Sequence, residues 1–211
     1  MNGKLLIVRH GESEWNAKGV WTGVTDIHLS EKGVKEAEML GEAIQDIPIT
    51  RAFCSQQVRS LETLTAMLSA SNQPEVPFVQ DDAINERDYG VYTGKNKWEV
   101  QQEIGNTAFE KLRRGWDDHV EGGETLKDVY ARAVPFYKTT ILPLLQKGEN
   151  VLVVAHGNSI RSLVKYIESI SDRDITTVEM LFGEILIYQV DAVGKQVTKK
   201  IRKIKTTPET A

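Results

Sequence analysis

Two apolar runs in this chain each end in a histidine followed by a glycine. Leu5-Leu6-Ile7-Val8 leads into Arg9-His10-Gly11-Glu12-Ser13, and Val151-Leu152-Val153-Val154-Ala155 leads into His156-Gly157-Asn158-Ser159. A continuous apolar run closed by glycine is the pattern of a buried strand in a parallel sheet. In open α/β sheets, ligands gather just beyond the carboxyl ends of the strands. Both imidazoles are therefore expected at one edge of one sheet, where they can meet. Arginine beside histidine suits a site that receives phosphate, because guanidinium offers a planar fork of donors and neutral imidazole is a competent nucleophile. Gly11 is expected to let backbone approach a ligand, and Asn16 adds a neutral donor. His156 stands before a predicted helix, whose free N–H groups and dipole attract anions. His28 and His119 lack such surroundings and read as solvated.

Further chemistry lies along the chain. Arg59 opens a helix just after the Cys54 strand. In Glu86-Arg87-Asp88-Tyr89-Gly90, a carboxylate next to arginine could be an ion pair or a positioned proton donor. Arg113-Arg114 follows a polar helix. In a chain of net charge −4, these cations around one sheet edge make a local positive pocket. One charge-assisted hydrogen bond contributes roughly 1.5–3 kcal/mol, so only several converging ones offset the desolvation of a multiply charged phosphate. Other chemistries are poorly supplied. No two histidines stand at i, i+4, and no cysteine pair or carboxylate cluster has metal-ligand spacing. The Gly-x-Ser-x-Gly, P-loop and dinucleotide glycine patterns are absent.

The elements that must carry these residues follow from periodicity. Helices are expected over 30–46, with Ser30 as N-cap and Val34, Ala37, Leu40 and Ile44 on the buried face, and over 57–69, with Val58, Leu61, Leu64 and Leu68 inward. A third runs over 126–146 and carries Val129, Ala133, Phe136 and Leu142, with Pro135 kinking it and Pro143 kinking or ending it. A fourth spans 159–170. Strands are expected at 51–54, 78–79, 184–190 and 197–204. The alternation implies an α/β fold, a mostly parallel mixed sheet with helices on both faces. The chain reads as one domain over 1–204 with a small lobe around 82–125, followed by a polar, mobile tail at 205–211. The single Cys54 fits a reducing compartment. The acidic balance gives no pull toward nucleic acid, and no run is long enough for a membrane span, so a cytoplasmic location is expected.

Taken together, these residues resemble the histidine phosphatase superfamily, and within it the bisphosphoglycerate-dependent phosphoglycerate mutases. The resemblance rests on Arg9 through Asn16, Thr22-Gly23, Glu86 through Gly90, Thr93-Gly94, Asn96-Lys97, Arg113-Arg114 and His156 through Ser159, in that order. It implies a phosphoglycerate mutase-like fold in which His10 carries the phosphoryl group and Glu86 serves as general acid and base. Arg9, Arg59 and His156 would surround that group, and Gly11, Glu12, Ser13, Asn16, Thr22, Gly23, Gly157 and Asn158 would complete the cradle. Tyr89, Lys97, Arg113 and Arg114 would hold the carboxylate or second phosphate, with Arg87 between the two regions. The resemblance further implies 2,3-bisphosphoglycerate as phosphoryl primer, no metal, and a small phosphorylated substrate, and it leaves a homodimer open. A small-phosphoester phosphatase of the same superfamily is the alternative, and a non-catalytic phospholigand-binding protein is a more distant one. One departure stands out: Gly115 through Gly123 is shorter than the matching segment of typical mutases, which bears on how the site closes and how well it keeps water out.

Overall fold

The computed structural model describes residues 3–204; the tail at 205–211 lies outside the described residues. Six strands form one mixed sheet in the order β3-β2-β4-β1-β5-β6. These are β1 (Leu5–Arg9), β2 (Arg51–Cys54), β3 (Phe78–Gln80), β4 (Val151–Ala155), β5 (Glu184–Val190) and β6 (Gln196–Lys203). The strands β3, β2, β4 and β1 run parallel, while β5 pairs antiparallel with both β1 and β6. The two strands with continuous apolar runs sit at the centre, as a strand buried on both faces requires. Side-chain alternation along them feeds two separate cores. Leu5, Ile7, Val151, Val153 and Ala155 pack on one face against α6 (Leu126–Phe136), α7 (Leu142–Gln146) and α8 (Gly157–Ile167). Leu6, Val8, Leu152 and Val154 pack on the other against α2 (Glu31–Glu42) and α3 (Val58–Ala70).

The register of β1 with β4 pairs Arg9 with Ala155, which sets His10 and His156 side by side past the strand ends. The short helix α1 (Glu14–Ala17) follows the first corner. Two further helices, α4 (Lys97–Ile104) and α5 (Asn106–Arg114), build the region expected as a lobe. Their apolar sides gather a third cluster of Trp21, Tyr89, Val100, Phe109, Leu112 and Val120.

Three expectations shift in detail. Ser30 does cap α2, accepting from Gly33 N–H at 3.1 Å, but Val34 is 41% exposed rather than buried. The buried stripe passes instead through Gly33, Ala37, Leu40 and Gly41. A Cβ at Gly33 would lie 2.0 Å from Glu12 O, and one at Gly41 2.3 Å from Met67 O. Ala37, Leu40 and Ile44 are buried as expected, and backbone contact at two glycines takes the place expected for Val34. The expected helix over 126–146 continues through Pro135 but widens into a π-turn over Tyr137–Ile141 before α7 begins. Pro143 has no N–H to donate to the carbonyl four residues earlier, and the wider turn accommodates that loss. The last long helix begins at Gly157, directly after His156, and ends at Ile167. No helix among the described residues is long and apolar enough to cross a membrane.

Candidate active site

The two histidine corners meet as their strand patterns imply. His10 N–H donates to Ala155 O at 2.9 Å, and the ring centroids of His10 and His156 lie 4.8 Å apart. Both residues are buried, at 3% and 0% exposure. His10 Nδ1 lies 2.6 Å from Gly11 O. A carbonyl can only accept, so Nδ1 carries the hydrogen and Nε2 of the neutral ring keeps its lone pair. Burial, then the charges of Arg59 and Arg9, hold the imidazole of His10 well below its ordinary range. Burial and Arg59 do the same for His156. The Ser55 hydroxyl accepts from Gln57 N–H and lies 2.6 Å from His156 Nε2. His156 Nδ1 is a buried atom with no hydrogen-bond partner among the described residues. His10 therefore presents a lone pair at Nε2 beside the buried His156 ring.

Keeping two neutral histidines in the fold has a consequence for stability. The unfolded chain binds protons on them near pH 6.5, while the folded chain resists doing so. Stability therefore rises with pH through that range and is lost as pH falls below it. Replacing His10 by glutamine should make the plot of unfolding free energy against pH shallower below about pH 6.5. The expected change is up to about 1.4 kcal/mol per pH unit for one histidine removed. Chemical denaturation at several pH values measures it directly.

A cavity of about 600 Å³ opens beyond the His10 ring; the His156 ring lies fully buried behind it and does not line the cavity. From the sheet edge the cavity receives Arg9, His10, Thr22, Gly23 and Arg59. The lobe adds Lys97, Arg113 and Arg114, and the start of α8 adds Gly157 and Asn158. Arg59, 1% exposed, donates to Thr25 O and Gly23 O at 2.8 and 3.0 Å. Burial lowers it to about 10, so it stays charged near neutrality. Gly23 has φ +53°, which turns its carbonyl to accept from Arg59 and from Gln57 Nε2. Arg9 donates to Met180 O at 2.8 Å and stacks 3.6 Å over the Phe182 ring. Glu86 Oε1 accepts from Arg87 N–H at 2.7 Å and from Asn158 N–H at 3.2 Å, which aims the carboxylate at the N-terminus of α8. Asn158 also donates to the Tyr89 hydroxyl at 2.7 Å. Asn16 and Tyr89 line the cavity as well.

Four residues of the sequence reading do other work. Gly11 does not line the cavity, and its missing Cβ makes room for Gly33 O, 2.4 Å from where that atom would stand. Ser13 is fully buried and caps α1, accepting from Asn16 N–H and donating to Asn16 Oδ1. Arg87 is fully buried and does not line the cavity; its guanidinium donates to the carbonyls of Leu112, Asp118 and Glu124. It ties the Glu86 loop to α5 and to the segment before α6. Glu12 reaches the rim, but its carboxylate accepts from Ser30 and Lys32 at 2.9 and 3.1 Å. An accept-only group already so engaged is a poor ligand for an anion.

Other groups escaped the sequence reading. Arg161, 5% exposed, lines the cavity and donates to Asn158 Oδ1, Arg114 O and Ile175 O at 2.9, 2.7 and 2.8 Å. Gln57 bridges Gly23 O and Glu86 N–H. The segment from Val178 to Phe182 supplies a whole wall. Residues 115–123 line none of the cavity; they pack on the 88–91 turn, where Val91 N–H donates to Glu121 O at 3.0 Å. Among the described residues, no group of three or more His, Cys, Asp or Glu side chains is placed to hold a metal.

Comparison with known proteins matches this arrangement to a family. The model of the histidine phosphatase superfamily (branch 1) matches residues 5–201. A 2,3-bisphosphoglycerate-dependent phosphoglycerate mutase of Rhizobium johnstonii is 38% identical over 95% of this chain and 96% of its own. The protein of that name from Beijerinckia indica is 37% identical, over 97% and 100%. Among solved structures, a Bacillus anthracis phosphoglycerate mutase superposes with a TM-score of 0.73 at 24% identity, over 96% of this chain and 92% of that one. A mycobacterial glucosyl-3-phosphoglycerate phosphatase superposes at 0.83 with 18% identity, over 97% and 100%. These two likenesses concern the fold, which mutases and phosphatases share. With the family model spanning nearly all of the chain and both histidine corners in one cationic cavity, the chain belongs to the histidine phosphatase superfamily, branch 1, and groups there with the 2,3-bisphosphoglycerate-dependent phosphoglycerate mutases.

Proposed function

We propose that the enzyme interconverts 3-phosphoglycerate and 2-phosphoglycerate through a phosphohistidine on His10. The observation that carries this reading is the commitment of His10 Nδ1 to Gly11 O, which leaves Nε2 as a neutral nucleophile inside a cavity lined by guanidinium groups. Phosphoryl transfer asks for in-line placement and neutralised charge more than for covalent chemistry by the protein. Arg9, Arg59 and the His156 ring are suited to taking up charge on the equatorial oxygens. Glu86 sits at the start of α8, where it can give a proton to the leaving alkoxide and later remove one from the other hydroxyl. Lys97 and Arg113 come from the lobe rather than the sheet edge. Cations from two separate layers suit a ligand with two anionic groups.

Priming by 2,3-bisphosphoglycerate fits the same residues. The buried Nδ1 of His156 and the buried hydroxyl of Thr22 have no hydrogen-bond partners among the described residues, and Thr22 lines the cavity. Unpartnered polar atoms of this kind match a phosphoryl group. The bisphosphate supplies the phosphoryl group that first charges His10.

The test is a coupled assay on 3-phosphoglycerate with and without 2,3-bisphosphoglycerate, following both isomerisation and release of inorganic phosphate. The reading expects isomerisation that depends on the primer and exceeds hydrolysis. Phosphate release without isomerisation would replace it by a phosphatase. One observation favours that second reading: the short 115–123 segment does not cover the cavity, and a mutase must keep water from its phosphohistidine. As a further expectation, Arg113→Ala should raise KM for 3-phosphoglycerate about tenfold and affect hydrolysis of p-nitrophenyl phosphate, which has no second anion, far less. Steady-state kinetics on the two substrates measures the difference.

A further inference from the structure

Arg114 meets the cavity with its guanidinium already engaged. Nε donates to Glu110 Oε2 at 3.1 Å, and Nη2 donates to the Glu179 carboxylate. Glu110 lies outside the cavity, whereas Glu179 is part of its wall. A carboxylate on the wall of an anion site acts against the ligand twice, by repelling it and by occupying the guanidinium it would use. Hydrogen bonding to Arg114, and the charges of Arg114, Arg113 and Arg9, keep the Glu179 carboxyl below its usual range, so it is ionised near neutrality. The wall itself is anchored independently, through Arg9 to Met180 O and to the Phe182 ring. Glu179 can therefore leave Arg114 by side-chain rotation alone.

We propose that Glu179 is a specificity-determining residue, an internal carboxylate that occupies Arg114 in place of a ligand's second anionic group and yields to it. A ligand carrying both phosphate and carboxylate exchanges Glu179 for its own charge. A phosphoester without a second anion leaves the ion pair closed. The side chains of Arg114 and Glu179 are 23% and 52% exposed, so the pair is weak and screened by salt, and displacement is easy. This inference deepens the mutase reading and rests on it for the identity of the doubly anionic ligand.

The test compares the Kd of 3-phosphoglycerate with that of glycerol 3-phosphate, which lacks the carboxylate, by titration calorimetry on the parent enzyme and on Glu179→Gln. In the variant, 3-phosphoglycerate should bind about two- to fivefold more tightly relative to glycerol 3-phosphate at low ionic strength. The gain should shrink in about 1 M salt. Glu110→Gln, which removes the other partner of Arg114 outside the cavity, should not produce it. An unchanged ratio, an equal change for both ligands, or the same gain in Glu110→Gln overturns the inference. The binding readout does not require turnover, so failure of the mutase assay is a separate result.

Discussion

His10→Ala is expected to abolish both isomerisation and phosphoenzyme formation, with turnover falling on the order of 10⁴-fold or more. The size follows from the lack of a substitute. His156 is the nearest imidazole, 4.8 Å away, but it is fully buried, its Nε2 is held by Ser55, and it does not line the cavity. The substitution removes a small buried ring at the end of β1 and keeps the strand pairing, because the link to Ala155 O is made by the backbone of residue 10. Circular dichroism should therefore show a folded protein, and calorimetry should still detect ligand binding by the arginines. Residual isomerisation within tenfold of the parent would mean that His10 is not the phosphoryl carrier.

The second large effect is expected at Glu86. Glu86→Gln keeps the shape of the side chain and an oxygen that can accept from Arg87 N–H and Asn158 N–H, but it removes the group that gives and takes the proton. Loss of general acid–base catalysis costs about 10²- to 10⁴-fold when the leaving group is an alkoxide. A leaving group that departs without a proton should be much less affected. Phosphorylation of His10 by p-nitrophenyl phosphate should thus survive in Glu86→Gln while isomerisation of 3-phosphoglycerate collapses. Rapid-quench measurement of both steps separates the roles, and equal loss in both would assign Glu86 to binding or structure.

The parts of the site legible in the sequence are those whose signal is local. A strand that stays apolar to its last residue and then turns at His-Gly announces both its burial and its chemistry, and β1 and β4 do this at both corners. Their adjacency follows from the parallel pairing that such strands require. The groups that escaped depend on distant packing. Arg161 looks like any polar position on a helix until α5 and the turn near Ile175 bring carbonyls to it. Ser55 and Gln57 acquire meaning only from partners up to 101 residues away. The wall from Val178 to Phe182 has no periodicity to read. Arg87, Ser13 and Gly11 stand beside candidate site residues, and in the structure their contacts are to the backbone and to Asn16. The helix face at Val34 was misassigned for a related reason, since glycine carries no hydrophobic signal although Gly33 and Gly41 set the contact.

The account depends most on the phosphoryl group passing through Nε2 of His10. The direct measurement is to charge the enzyme with 2,3-bisphosphoglycerate, quench in base, which preserves phosphohistidine, and locate the phosphate by peptide mass spectrometry. The account predicts one phosphorylated residue, His10, whose phosphate transfers to added phosphoglycerate as fast as the enzyme turns over. Phosphate on another residue, or isomerisation in an enzyme that never becomes phosphorylated, would contradict it.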